Sequence, residues 1–181
     1  AMVPTESLMH GFVSPESPQV SAQTEAVKLM PEETVKRWIA TRTAVHEGEG
    51  YSAESAKRFL EYREQFIQHF VAAGGLVLLG SDAPQVFNVP GDALHFEMEL
   101  MVESGMTPAQ VLQAASIKPA IYFGRDKEFG SLAAGQSADM VLLSANPLND
   151  IKNTRKIAGV MTRGMWLPGS QIERRLDELR R

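Results

Sequence analysis

Asp82 stands directly behind an uninterrupted apolar run, in "GGLVLLGSDAPQ" (Gly74 to Gln85). The run Leu76-Val77-Leu78-Leu79 shows no polar alternation, the pattern of a strand covered on both faces and hence of a helix-wrapped parallel sheet. In such sheets the residues just past the strand ends line the active site, so Asp82 is a candidate functional carboxylate. Ser-Asp before Ala-Pro is also good turn chemistry, and a capping role is the competing reading. Four histidines are scattered along the chain (His10, His46, His69 and His95), none at ligand spacing to another. Ser81 has no Gly-x-Ser-x-Gly elbow and no partnering His/Asp pattern, so a serine nucleophile is not expected. The glycines of "FGSLAAGQSAD" punctuate turns and lack the spacing of a phosphate loop.

The elements that must position these residues read as follows. Residues 1–30 are rich in Pro, Ser and Thr and read as loop, with a short extended piece at Met2-Val3-Pro4. A helix opens at Pro31 with Glu32-Glu33 at its positive end, and Val35, Trp38, Ile39 and Val45 mark its apolar side. "EGEGYS" breaks it. A second helix runs from about 53 to 73, with Phe59, Phe66, Ile67, Phe70 and Val71 at helical spacing, and Gly74-Gly75 stops it. "DALHFEMELMVESG" predicts a helix with Asp92 as N-cap and Leu94, Met98, Met101 and Val102 on its apolar face. "TPAQ" (Thr107 to Gln110) is a capping box, and Pro119 restarts that helix for a last turn. A second buried strand is expected over 138–143, then a β-hairpin turning at Arg163-Gly164. Ser170-x-x-Glu173 predicts a final helix with Ile172, Leu176 and Leu179 on one face.

The 181 residues are 44% hydrophobic and 22% charged with formal net charge −4, an ordinary globular composition without the basic stripe of a nucleic-acid binder. Cysteine is absent, which excludes disulfides and thiolate metal sites and is compatible with the cytosol. No apolar run reaches membrane-spanning length, so neither nucleic acid nor membrane is an expected partner. Ala1-Met2 reads as an extra residue ahead of a start methionine.

Four segments in order resemble the C-terminal portion of the amidohydrolase superfamily, in its imidazolonepropionase-like and prolidase-like branch. They are "LLGSDAPQ", "HFEMELMVESGMTPAQVLQAASIKPAIYFG", "FGSLAAGQSADMVLLSANPLNDI" and "IAGVMTRGMWL". The resemblance covers roughly residues 74–168; "MVPTESL" is more loosely similar to the family's seventh barrel strand. It implies an α/β fold: the last one or two βα units of a TIM-type (β/α)8 barrel, then strands of a small β-sandwich module and a terminal helix. The implied division is 1–125 for the partial barrel and 126–181 for the β-rich module.

The same resemblance makes Asp82 the metal-site and catalytic aspartate, which binds a divalent metal, zinc by expectation, and takes the proton from the attacking water. His10, after the seventh-strand segment, and His95, opening the helix after the eighth, become candidate substrate-binding residues. The family's His-x-His, its lysine or carboxylate on the fourth strand and its further histidines lie upstream of the seventh strand, and no His-x-His occurs here. The expectation is therefore a C-terminal fragment of a metal-dependent hydrolase of a C–N bond in a small amide, dipeptide or cyclic amide. On its own it is expected to hold little or no metal, and to self-associate or join a missing N-terminal segment. The competing reading is a non-catalytic partial barrel with a structural or assembly role.

Overall fold

The chain opens extended, and Met2 joins Val77 in a single parallel bridge. The Met2 amide donates to the Leu76 carbonyl at 2.8 Å and the Leu78 amide to the Met2 carbonyl at 2.9 Å. Then follow α1 (Glu6–Val13), α2 (Pro18–Ser21), a 3-10 turn (Val27–Leu29), α3 (Glu32–His46) and α4 (Ala53–Ala72). The extended segment 76–80 and its loop lead to α5 (Asp92–Glu103), α6 (Pro108–Ala114) and α7 (Ile117–Tyr122). Three strands, β1 (Met140–Leu143), β2 (Ile157–Thr162) and β3 (Met165–Pro168), form an antiparallel sheet in the order β1-β2-β3, and α8 (Gly169–Leu179) closes the chain. This computed structural model describes residues 1–179.

Local chemistry sets several boundaries. Thr107 and Gln110 form the expected reciprocal box at α6, the Gln110 amide donating to Thr107 Oγ1 at 3.3 Å. Ser52 and Ser55 form a second box at α4 that the sequence reading missed, because serine replaces the usual Glu or Gln at its third helical position. Gly74, at φ 79, ends α4. Arg163 and Gly164 both take positive φ (50 and 76) at the tip of the β2–β3 hairpin, the signature of a type I′ turn.

Several expectations need correcting. Residues 1–30 are not loop: α1, α2 and the 3-10 turn occupy much of them, held by distant partners that local composition does not reveal. The 76–79 segment is extended as expected, with Val77 and Leu78 buried, but its strand pairing is confined to the one bridge at Val77. The regular sheet of the described residues is thus the antiparallel one. The expected buried strand 138–143 begins at Met140 and is open to solvent, with Val141 54% and Leu142 55% exposed. On α4 the core side belongs to Ala56, Leu60 and Ile67, whereas Phe59 and Phe66 face outward. Leu94 and Leu179 are exposed rather than packed. Gly91, not Asp92, is the N-cap of α5; α8 opens at Gly169, one residue before Ser170; and Pro119 is the third residue of α7 rather than its first.

Two apolar clusters carry the fold. The larger joins Ile67, Val77, Met98, Met101, Val111 and Ile151, so it ties α4, the extended segment, α5, α6 and the 3-10 turn (Ile151–Arg155) that precedes β2. The smaller packs Val27 and Trp38 against Val86 and Val89 of the loop that follows Asp82. Burying such side chains contributes about 1.5–3 kcal/mol each before chain entropy is counted. The second cluster fixes that loop against α3, and with it the surroundings of Asp82.

Candidate functional site

Both extended segments end in a residue that is not glycine but has left-handed backbone: Thr5 at φ 53 and Asp82 at φ 54. Aspartate tolerates this region better than most residues, yet such positions remain uncommon and gather at functional sites. Asp82 is exposed, and among the described residues its carboxylate makes no hydrogen bond or ion pair. Its loop is nonetheless well held. Asn88, 2% exposed, donates its amide to the Ser81 carbonyl at 2.5 Å and exchanges backbone bonds with Gln85. A carboxylate with free lone pairs on a fixed loop is therefore available to a metal or a proton donor, and it caps no turn in this structure.

Gly11 is required where α1 meets this loop. A Cβ at Gly11 would lie 2.1 Å from the Val86 carbonyl oxygen, a backbone atom that cannot rotate aside. The contact brings His10 and the α1 C-terminus to the loop. A cavity of about 260 Å³ opens there, its walls including His10, Arg42, Phe87, Asp92, Phe96 and Arg155. Asp82 and His95 are not among its walls.

His10 packs its ring edge-on to Phe96, with centroids 5.5 Å apart. Burial, reinforced by the Arg42 and Arg63 charges, lowers its pKa, so the imidazole is neutral at pH 7. His95 sits elsewhere. Its Nδ1 lies 2.9 Å from Thr154 Oγ1, and that hydroxyl donates its one proton to the Ile151 carbonyl. Nδ1 is therefore the donor, which fixes the tautomer and leaves Nε2 as an acceptor. Burial, helped by Arg155 and opposed by Asp92 and Glu99, lowers this pKa too. His95 thus fastens α5 to the turn before β2, alongside the Arg155 pairs with Asp92 and Glu99.

The sequence reading missed three buried charges. Arg42, 2% exposed, donates Nε to the Gly11 carbonyl at 2.8 Å and Nη1 to Ser21 Oγ at 2.6 Å, and its guanidinium lies 4.2 Å over the Phe87 ring. Burial pushes its pKa down to about 10. Glu6, also 2% exposed, pairs with Arg63 at 2.8 Å, yet burial outweighs the arginine and raises its pKa. Glu97 is wholly buried; Oε2 accepts the Ser7 amide at 2.7 Å while Oε1 has no partner, and burial raises this carboxyl as well. Helical spacing is a signal for two of them: Arg42 falls in line with Val35, Trp38 and Val45, and Glu97 with Ala93, Leu100 and Met101.

Among the described residues no group of three His, Asp or Glu side chains is placed to hold a metal ion. Asp82 fits as one donor, but these residues do not make a ligand set, since a catalytic zinc takes three protein ligands.

Comparison with known proteins identifies the family in which this segment occurs. The amidohydrolase family model matches residues 61–167, which include Asp82, α5, α6 and the β2–β3 hairpin. The ochratoxinase of Aspergillus niger is 30% identical over 141 residues, 72% of this chain and 28% of that protein. The imidazolonepropionase of Shouchella clausii is 40% identical over 76 residues, 41% of this chain and 17% of that protein. Among solved structures, a bottromycin amidohydrolase superposes over 98% of this chain and 40% of its own with a TM-score of 0.79, at 18% identity, a likeness of fold alone. The chain therefore spans less than a third of the length of these curated relatives. On the match over 61–167 and the fold it lies in, this chain belongs to the amidohydrolase family.

Proposed function

We propose that this chain is the C-terminal portion of a metal-dependent amidohydrolase that hydrolyses a C–N bond in a small amide, dipeptide or cyclic amide. The single observation that supports it best is Asp82: an exposed, unpaired carboxylate in left-handed backbone, on a loop fixed by Asn88, within the segment matched by the family. In this reading Asp82 accepts the proton of the attacking water and returns it to the leaving nitrogen. Asp82 would supply one donor to a divalent metal, zinc by expectation, and the remaining donors would come from polypeptide outside these residues. Residues 1–125 are the last βα units of a TIM-type barrel and 126–181 the β-rich module. The parallel bridge between Met2 and Val77 is the pairing that two neighbouring barrel strands make. His10 is the better placed of the two histidines for substrate, because it lies in a cavity wall while His95 is engaged by Thr154.

The partner in this reading is an N-terminal barrel segment, or a second copy of the chain. Its landing place is the groove of about 300 Å³ between Met2-Val3-Pro4 and α4, where Phe59, Tyr62 and Phe66 are exposed. The reaction is tested in the complete enzyme carrying this segment, with amide substrates in 18O-labelled water. One labelled oxygen in the carboxylate product and none in the amine is expected. Turnover of esters or phosphates with every amide left intact would overturn the reading.

A further inference from the structure

The Asp82 carboxylate has no hydrogen-bond or ion-pair partner among the described residues, so its aim is set by its backbone, at φ 54. A carboxylate that serves a metal is ordinarily held by an outer shell of hydrogen bonds; here the holding falls to the loop. Five residues on, Phe87 is the loop's second left-handed residue, at φ 52. A bulky aromatic side chain rarely adopts this region, and it persists there only where the surroundings fix it. Those surroundings are well defined. The Arg42 guanidinium lies 4.2 Å over the Phe87 ring, and the Trp38 ring stands 5.8 Å from it at 59°. The guanidinium is itself fixed in its plane: Nε donates to the Gly11 carbonyl, Nη1 to Ser21 Oγ, and Nη2 reaches the His10 carbonyl at 3.5 Å. Phe87 thus rests on a plate that α1, α2 and α3 hold jointly. The next residue passes this placement on. Asn88 donates its backbone amide to the Gln85 carbonyl at 3.0 Å and its side-chain amide to the carbonyl of Ser81, the residue before Asp82. We infer that Phe87, clamped on the Arg42 guanidinium, is a positioning residue for Asp82: the ring holds the 85–88 turn, and Asn88 carries that placement back to the carboxylate. The inference rests on the proposed role of Asp82 and adds the residue that aims it. Phe87 also lines the cavity beside α1, so direct contact with substrate is the competing role, and kinetics separate the two.

The test is the kinetics of Phe87→Leu and Phe87→Tyr in the complete enzyme carrying this segment, with Asp82→Asn alongside. Leucine keeps apolar bulk but removes the flat face on which the guanidinium stacks; tyrosine keeps that face. Phe87→Leu should lower kcat about 10- to 100-fold, the effect of losing an outer-shell support, with KM little changed. Phe87→Tyr should keep kcat near the unaltered value. A merely stabilising ring would lower the thermal midpoint and leave the kcat of folded enzyme alone, and a substrate-binding ring would raise KM; either result overturns the assignment. Phe87→Gly is the second arm, because glycine adopts positive φ without strain and favours the native loop where leucine opposes it. It lacks the ring and should lose kcat as Phe87→Leu does; a glycine variant with full kcat overturns the role of the ring. The hydrolytic reading fails separately, on an Asp82→Asn enzyme that turns over like the unaltered one. An inactive Asp82→Asn beside a fully active Phe87→Leu removes the clamp alone.

Discussion

Gly11→Ala separates two opposed effects whose balance the structure decides. Gly11 lies inside α1, where replacing glycine by alanine ordinarily stabilises a helix by about 0.8–1 kcal/mol. Here the new methyl would sit 2.1 Å from the Val86 carbonyl oxygen and 3.3 Å from its carbon. Relief requires α1 and the loop to separate by over an ångström, opening the contact that holds Phe12, Val86 and Val89 in the second cluster. Overpacking against a well-fixed neighbour costs about 1–3 kcal/mol. A backbone oxygen places this site at the upper end, so a net loss of about 2 kcal/mol remains after the helix gain. For a chain of this size each kcal/mol moves the midpoint by about 2–4 °C. Thermal unfolding followed by circular dichroism should thus show Tm lower by about 4–8 °C. An unchanged or raised Tm would mean that α1 does not seat on the Val86 loop in solution, and the description of both cavity and loop would fail with it.

Glu97→Gln should change how stability varies with pH. Burial raises the folded-state carboxyl above its ordinary 4.5, so between these two values the unfolded chain binds fewer protons and wild-type stability falls as pH rises. Glutamine stays neutral and can still accept the Ser7 amide, so in urea titrations its advantage should grow from pH 5 to pH 8; a constant offset would contradict the burial argument. Arg63→Met leaves Glu6 buried and unpaired and should cost about 3 kcal/mol or more, while a loss below about 1 kcal/mol would place that pair in the screened surface class. After dialysis against a mild chelator the 181-residue chain should retain zinc well below one equivalent, because Asp82 is a single donor; a full equivalent by elemental analysis would point to a ligand set that these residues do not display.

What was legible in the sequence had local causes. Pro31 and the two glutamates announce α3, Thr107 and Gln110 announce α6, and Arg163-Gly164 supplies the positive φ values of a tight hairpin. Asp82 stood out because a charge directly after four apolar residues needs a reason, and the structure adds its left-handed backbone and its freedom from partners. The α1 and α2 helices were not legible. They are eight and four residues long, too short to stand on propensity, and they are held by Arg42, Arg63 and Glu97 from far along the chain. The solvent-facing side of β1 and the outward Phe59 and Phe66 were misread for a related reason. Apolar periodicity reports that a surface suits burial, not whether the described residues bury it.

The most direct test of the central claim is the turnover of Asp82→Asn in the complete enzyme carrying this segment, beside its thermal midpoint. Asparagine keeps the shape and tolerates the same left-handed backbone, but it cannot accept a proton. The account predicts an unchanged midpoint and a loss in kcat of about 10²- to 10⁴-fold. Turnover near that of the unaltered enzyme would contradict it, and would leave Asp82 as no more than a residue suited to its turn.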